Sequence, residues 1–219
     1  MTGEDRMTDA AEETPLVLIV DDDEEVREAI RELLLSVGME ALCYGSTREL
    51  LDAPTLERAG CLVLDVRMPG LSGLDLQQRF VAGGIAKPIV FLTGHGDIPM
   101  SVQAMKAGAV DFLTKPVRDQ TLIDAVLTGI ERDATQRASA RIVQQHVDRF
   151  STLTPRETQV IREVALGRLN KQIAYDLGIT EITVKLHRSN VMKKMNAGSV
   201  GELIRAWETL PVSLRGDRP

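Results

Sequence analysis

The sequence predicts an α/β fold, a doubly wound five-stranded parallel sheet, followed by a smaller all-α four-helix domain containing a helix-turn-helix. Three observations lead there. Apolar strand-like runs alternate five times with segments of helical periodicity, the pattern of a parallel sheet covered on both faces. Beyond residue 150 the strand-like runs stop and the periodic segments are all helical. The charge balance changes at the same place: from Phe150 onward Lys plus Arg is 11 against 7 for Asp plus Glu, whereas the stretch before it has 15 and 25. Such a shift argues for two domains with different partners, one handling a cation and the other a polyanion.

The elements follow in order. Leu16 to Val20 is the first strand and runs into Asp21-Asp22-Asp23; Val26, Ile30, Leu33, Leu34 and Val37 then fall at helical spacing until Gly38 stops the helix. Glu40 to Tyr44 reads as the second strand, Ser46 caps a short helix to about Asp52, and Gly60 precedes the third strand, Cys61 to Asp65. The turn Pro69-Gly70-Leu71-Ser72-Gly73 leads into a helix through Leu74 to Val81, and Pro88 to Thr93 is the fourth strand. Asp97 caps a helix through Val102 and Met105 that Gly108 ends; Val110 to Thr114 is the last strand, and a final helix begins near Asp119.

The stretch from Glu131 to Arg149 lacks Gly and Pro and carries a thin apolar stripe, so it reads either as a helical extension joining the domains, the favoured reading, or as a flexible charged tether. In the rear half, Thr154-Pro155-Arg156-Glu157 has a Thr cap, Pro at the first helical position and Glu three residues on. Further helices run from Asn170 to Leu177, from the Thr180 cap to about Met195, and from Ser199 to Leu210. The expected organisation is a disordered tail over 1–15, a sheet domain over 16–132, a helical linker over 133–149, a helix-turn-helix domain over 150–213 and a tail over 214–219.

With only 3% aromatic residues the cores should be aliphatic. No run is long enough to cross a bilayer, and the start is acidic and polar rather than basic then apolar, so neither membrane nor secretion is expected and the reading is cytoplasmic. Cys43 and Cys61 sit in strand-like segments and read as reduced core residues, not as a disulfide or a metal site.

Parallel strands share a carboxyl edge, and open α/β sheets place ligands there. Four strands end at complementary groups: Asp21-Asp22-Asp23, Asp65, Thr93 and Lys115. Asp65 can accept a phosphoryl group only if the charge on that group is neutralised, which calls for Mg²⁺ on oxygen ligands beside it, from Asp21 and Asp22. Lys115 can pair with a phosphoryl oxygen and Thr93 can donate to another. Singly, each of these reads as a cap or a loop residue, and Asp23 is best read as a pure helix cap. Four complementary groups on one edge are poorly explained by capping.

These residues resemble a known family. Val20-Asp21-Asp22-Asp23, Asp65-Val66-Arg67-Met68-Pro69-Gly70 with Ser72-Gly73, Thr93-Gly94-His95-Gly96-Asp97 and Lys115-Pro116 look like the receiver domain of bacterial two-component response regulators, over about Leu16 to Arg132. The resemblance implies a flavodoxin-like fold and a phosphoryl group accepted by Asp65 from a sensor histidine kinase. It also implies Mg²⁺ on Asp22, Asp65 and the Arg67 main-chain carbonyl, with Asp21 helping through water. Thr93 and Phe112 would be the switch pair, Thr93 moving toward the phosphoryl oxygens and the Phe112 ring turning inward. Phe112 alone would read as an ordinary core aromatic, and the Lys115-Pro116 bond, cis in the family, could be either isomer from sequence. His95 is given no catalytic role.

In the rear domain, Ala174 is small where two helices would cross, Gly178 allows the tight turn, and Ile173, Leu177, Ile179 and Val184 bury the junction. The second helix carries Thr183, Lys185, His187, Arg188, Asn190, Lys193 and Lys194 outward, as a helix entering a major groove would. The bland alternative is a solvated basic face on a small bundle. The turn spacing argues against it, and Leu153 to about Leu210 resembles the LuxR-type DNA-binding domain of the FixJ/NarL subfamily in Leu153-Thr154-Pro155-Arg156-Glu157, Asn170-Lys171, Thr183-Val184-Lys185-Leu186-His187 and Lys193-Lys194-Met195. That resemblance implies base contacts from Lys185, Leu186 and Ser189, with Thr180, Thr183, His187 and Lys171 near phosphates. Leu and Ser cannot make the bidentate contacts that discriminate most strongly, so Arg188, Asn190 or DNA shape would supply part of the specificity.

The expected protein is therefore a transcription regulator that dimerises when Asp65 is phosphorylated, binds double-stranded promoter DNA at paired half-sites, and has RNA polymerase as a further partner. It would be no enzyme in the ordinary sense, although a receiver can catalyse its own phosphorylation and dephosphorylation. Two other readings compete. A Mg²⁺-dependent phosphatase of the haloacid-dehalogenase kind also uses an Asp nucleophile, but such enzymes carry a second Asp two residues on, where this chain has Arg67. An adaptor binding protein through the rear bundle predicts no salt-dependent DNA affinity.

Overall fold

The computed structural model describes residues 14–94 and 97–216. The expectations for tail residues 1–13 and 217–219 and for His95 lie outside the described residues. The chain divides into two compact units after Gln136.

The first unit opens with β1 (Leu16–Val20), α1 (Glu24–Ser36), β2 (Glu40–Tyr44), α2 (Thr47–Asp52) and a 3-10 turn, Pro54–Glu57, that the apolar pattern does not reveal. It continues with β3 (Gly60–Leu64), α3 (Gly73–Ala82), β4 (Ile89–Thr93), α4 (Ile98–Lys106), β5 (Asp111–Thr114) and the start of α5 (Asp119–Ser151). All strand pairs are parallel and the order is β2-β1-β3-β4-β5. The order reverses between β1 and β3, so a crevice opens at the ends of those two strands.

β1, β3 and β4 are buried along their whole length, because helices cover both faces and alternate residues feed two cores. Leu18, Leu62, Leu64, Phe91, Leu76 and Phe80 pack on one face; Ile19, Val63, Val90, Leu34, Leu122 and Val126 pack on the other. Caps set the helix starts. Asp23 accepts from the Glu25 and Val26 N–H groups at 3.0 and 3.3 Å, Ser46 caps α2, and Asp97 caps α4. The last strand is one residue shorter than the apolar run suggests: Val110 precedes it, handing its N–H to the Ile89 carbonyl and packing its side chain against the core. α5 is anchored by Asp133, a buried carboxylate that accepts from the Gly60 N–H at 2.8 Å. Residues 133–149 are all inside α5.

The second unit comprises the end of α5 with α6 (Pro155–Ala165), α7 (Asn170–Leu177), α8 (Glu181–Lys194), α9 (Val200–Thr209) and α10 (Val212–Arg215). The four expected helices are joined by α10, whose four residues are too short for periodicity to register. Its core is Phe150, Val160, Ile161, Ile173, Val184, Val191, Leu203 and Trp207, with the Phe150 and Trp207 rings edge-on at 5.8 Å. Thr154 and Glu157 form a reciprocal capping box at the start of α6.

Candidate functional site

Asp21 follows β1 and Asp65 follows β3, so the switch point of the sheet brings them together with Asp22. Ligand oxygens of the three carboxylates lie within 4.8 Å of one another. Asp21 and Asp65 are buried and Asp22 is exposed. Lys115, at the end of β5, forms an ion pair with Asp21 Oδ2 and stands 4.0 Å from Asp65 Oδ2. The other Asp65 oxygen accepts from the Val66 N–H at 2.7 Å. Thr93, fully buried at the end of β4, gives its carbonyl to the Lys115 N–H at 2.9 Å. Phe112 is half-buried on β5 with its ring 5.9 Å from that of Phe91. The Lys115-Pro116 bond is cis.

The electrostatics match a cation site. Burial raises the Asp21 carboxyl above its ordinary range and Asp65 pushes the same way, while the Lys115 ammonium and the Asp23 N–H oppose them. Repelling carboxylates on one oxygen-rich crevice suit a hard divalent ion, which relieves the repulsion. Asp23, by contrast, is spent on capping α1, as its position suggested. Arg67 has an exposed side chain.

Two residues to which sequence reasoning assigned no role shape the loop after Asp65. A Cβ at Gly73 would lie 2.2 Å from the Asp65 carbonyl oxygen, so only glycine fits beside that backbone. Thr47, buried at the start of α2, donates to the Leu71 carbonyl at 3.1 Å. The paired glycines of the turn hinted at the first; nothing local in the sequence points to the second, which joins residues 24 apart.

In the second unit, α7 ends at Gly178 in the left-handed conformation (φ 64°), and α8 starts from the Thr180 cap. Ile173, Ala174 and Val184 are buried at this helix-turn-helix junction. Lys171, Lys185, Leu186, Ser189, Asn190 and Lys193 are exposed, and Leu186 is 60% exposed although apolar. Thr180 caps the Thr183 N–H at 3.2 Å, and the two hydroxyls lie 2.9 Å apart. His187 is half-buried with Nδ1 lacking a hydrogen-bond partner.

Two side chains expected to point outward are engaged within the unit. Arg188 donates to Asn170 Oδ1 at 2.7 Å, tying α8 to α7. Lys194 donates to buried Glu157 at 2.7 Å and to the Thr152 carbonyl at 3.1 Å. Helical spacing puts both on the polar side, but the partners come from distant helices and are invisible in the local pattern.

Comparison with known proteins agrees with this geometry. Residues 17–127 match the response regulator receiver domain profile, and residues 151–207 match that of bacterial regulatory proteins of the luxR family. Nodulation protein W of Bradyrhizobium diazoefficiens is 52% identical over 198 residues, covering 90% of this chain and 87% of that protein. Transcriptional regulatory protein FixJ of Azorhizobium caulinodans is 44% identical over 189 residues, 86% of this chain and 90% of that one. The solved structure of response regulator StyR superposes with a TM-score of 0.78 at 47% identity, covering 89% of this chain and 98% of that one. Both family profiles, a receiver and a LuxR-type domain, support the regulator and lend no support to a haloacid-dehalogenase phosphatase. The chain belongs to the two-component response regulators that join a receiver to a LuxR-type helix-turn-helix DNA-binding domain, and it is a transcription regulator of that family.

Proposed function

We propose that Asp65 is the phosphoacceptor and that its phosphorylation by a sensor histidine kinase governs binding to promoter DNA. The observation that carries this reading is the convergence of Asp21, Asp22, Asp65 and Lys115 in one crevice. An Asp65 oxygen attacks phosphorus, the phosphorus–nitrogen bond of the donor phosphohistidine breaks, and the departing imidazole takes up a proton. Asp21, Asp22, Asp65 and the Arg67 carbonyl would hold Mg²⁺. Bound there, the ion offsets the negative charge of the phosphoryl oxygens. Lys115 shifts from Asp21 to a phosphoryl oxygen and the Thr93 hydroxyl donates to another. The same groups would serve transfer from small phosphodonors and hydrolysis of the acyl phosphate.

Movement of Thr93 toward the phosphoryl group makes room for Phe112, and the outer face of α4 and β5 changes shape. Ile98, at 79% exposed, with Val102 and Met105 gives α4 an uncovered apolar strip, which supports homodimerisation on this face after phosphorylation. Two linked DNA-binding units then occupy paired half-sites at a raised effective concentration. On α8, Lys185, Leu186 and Ser189 read bases with Asn190, and Lys171, Thr180, Thr183, His187 and Lys193 approach phosphates. Arg188 contributes by orienting α8 through Asn170. RNA polymerase is the further partner at the promoter, and the cytoplasm is where such DNA is met.

The test is mass spectrometry of the intact chain after incubation with acetyl phosphate and Mg²⁺. The wild type gains one phosphoryl group and Asp65→Asn gains none; labelling of Asp65→Asn at the wild-type level overturns the assignment.

A further inference from the structure

At the foot of the sheet, on the edge away from Asp65, the structure has an open cleft of about 140 Å³. It lies between the end of α3, the start of β4, the turn after α4, and α5. Phe80, Val81, Ile85, Pro88, Ile89 and Ala107 form an apolar wall. A cavity of about 150 Å³ lined by apolar side chains is large enough for benzene. The cleft therefore has room for a six-carbon ring or a branched chain of similar bulk.

Two polar groups on α5 border that wall without partners. The Arg132 guanidinium makes no hydrogen bond or ion pair with the described residues, and it lies across Gly108, with Nη2 3.7 Å from where a Cβ would stand. One turn further on, Gln136 has its Oε1 buried and unpaired. Residues four apart on a helix share a face, so one ligand reaches both. The Lys87 ammonium, also at the cleft, is engaged by the Arg58 carbonyl at 2.7 Å, which leaves Arg132 as the cation that faces a guest.

We propose that this cleft binds a small carboxylate with an apolar body about the size of benzene. The carboxylate takes the two-pronged contact a guanidinium offers, and the body lies on Val81 and Ile85, the exposed apolar residues of the wall. Gln136 pairs with a ligand hydroxyl or with a carboxylate oxygen, according to which way its amide is turned. Such a guest joins α3, the α4–β5 turn and α5 from the edge opposite the phosphorylation pocket. The site is independent of Asp65 and its chemistry.

The test uses benzoate as the probe and the ¹⁵N-labelled full chain. Saturable shifts are expected at the Arg132 side-chain Nε–H, the Gly108 amide and the Gln136 side-chain amide. Benzyl alcohol, which keeps the ring and drops the charge, should bind at least about tenfold more weakly. Arg132→Met should lose at least about tenfold in benzoate affinity with an unchanged melting temperature, and Arg132→Lys should fall between the two. No saturation by about 10 mM benzoate overturns the proposal. So does equal affinity in Arg132→Met, or saturable shifts confined to other parts of the chain.

Discussion

Lys194 distinguishes what tertiary structure does with a charge from what sequence suggests. Helical spacing places it on the outward basic face read as entering a groove, whereas the structure hands its ammonium to Glu157 at 2.7 Å and the Thr152 carbonyl at 3.1 Å. Glu157 is 4% exposed and also accepts from the Thr154 N–H at 2.9 Å. Lys194→Met removes the ammonium and leaves a buried carboxylate with one donor fewer. A hydrogen bond between charged groups contributes about 1.5–3 kcal/mol, and with the Lys194 side chain 35% exposed that figure is reduced, so the expected loss is about 1–2 kcal/mol. With a urea slope of about 1 kcal/mol per molar for a unit of this size, the midpoint should fall by about 1–2 M.

Trp207 is the chain's sole tryptophan and sits in the core of this unit, so its fluorescence reports this unfolding directly. The effect should also depend on pH. Burial raises the Glu157 carboxyl, but the Lys194 ammonium and the Thr154 cap together bring it below its ordinary 4.5. A depressed carboxyl contributes stability that is complete above 4.5 and is lost as pH falls through the lower folded value, so the gap between wild type and Lys194→Met should close in acid. DNA affinity gives the contrast: Lys193→Met should shallow the salt dependence by about 0.9 in log–log slope per bound subunit and Lys194→Met should leave it unchanged. A Lys194→Met protein with wild-type urea midpoint and a shallower salt slope would refute the reasoning.

Three other outcomes are expected. Gly73→Ala forces a methyl to within 2.2 Å of the Asp65 carbonyl oxygen, so the backbone must shift; acetyl phosphate labelling should slow by about tenfold or more, and labelling at the wild-type rate would contradict the close approach. Lys185→Ala should weaken operator binding by about 1–3 kcal/mol in a gel-shift titration, whereas unchanged affinity would remove Lys185 from the base-reading set. Cys61 is buried with its thiol pushed up to about 12, so iodoacetamide at neutral pH should leave it unmodified in the folded chain and alkylate it in urea, as peptide mapping would report.

The candidate site was legible in the sequence to the extent that its groups end strands. Asp21, Asp22, Asp65, Thr93 and Lys115 could be assigned to one crevice because parallel strands share an edge and each apolar run stops at a functional group. Asp23 as a cap, Gly178 as the turn and the start of α6 at Pro155 were equally readable, since capping chemistry is local. What stayed hidden joins residues far apart: Thr47 to Leu71, Asp133 to Gly60, Arg188 to Asn170 and Lys194 to Glu157. Each is a single hydrogen bond or ion pair between elements, and a lone polar side chain at helical spacing looks the same whether it meets water or a buried partner.

Hydrophobic periodicity and the chemistry at the strand ends determined, from sequence alone, the two-part architecture, the sheet and which carboxylates meet at its carboxyl edge. Strand order, the position of Lys115 on Asp21 and the inward turn of Arg188 and Lys194 were decided only in three dimensions. The same holds for the cleft beneath Arg132, formed where α3, β4 and α5 meet. The physical reason is range: periodicity and caps act within a few residues along the chain, whereas the partner of a buried charge is chosen by whatever packing brings within about 3 Å.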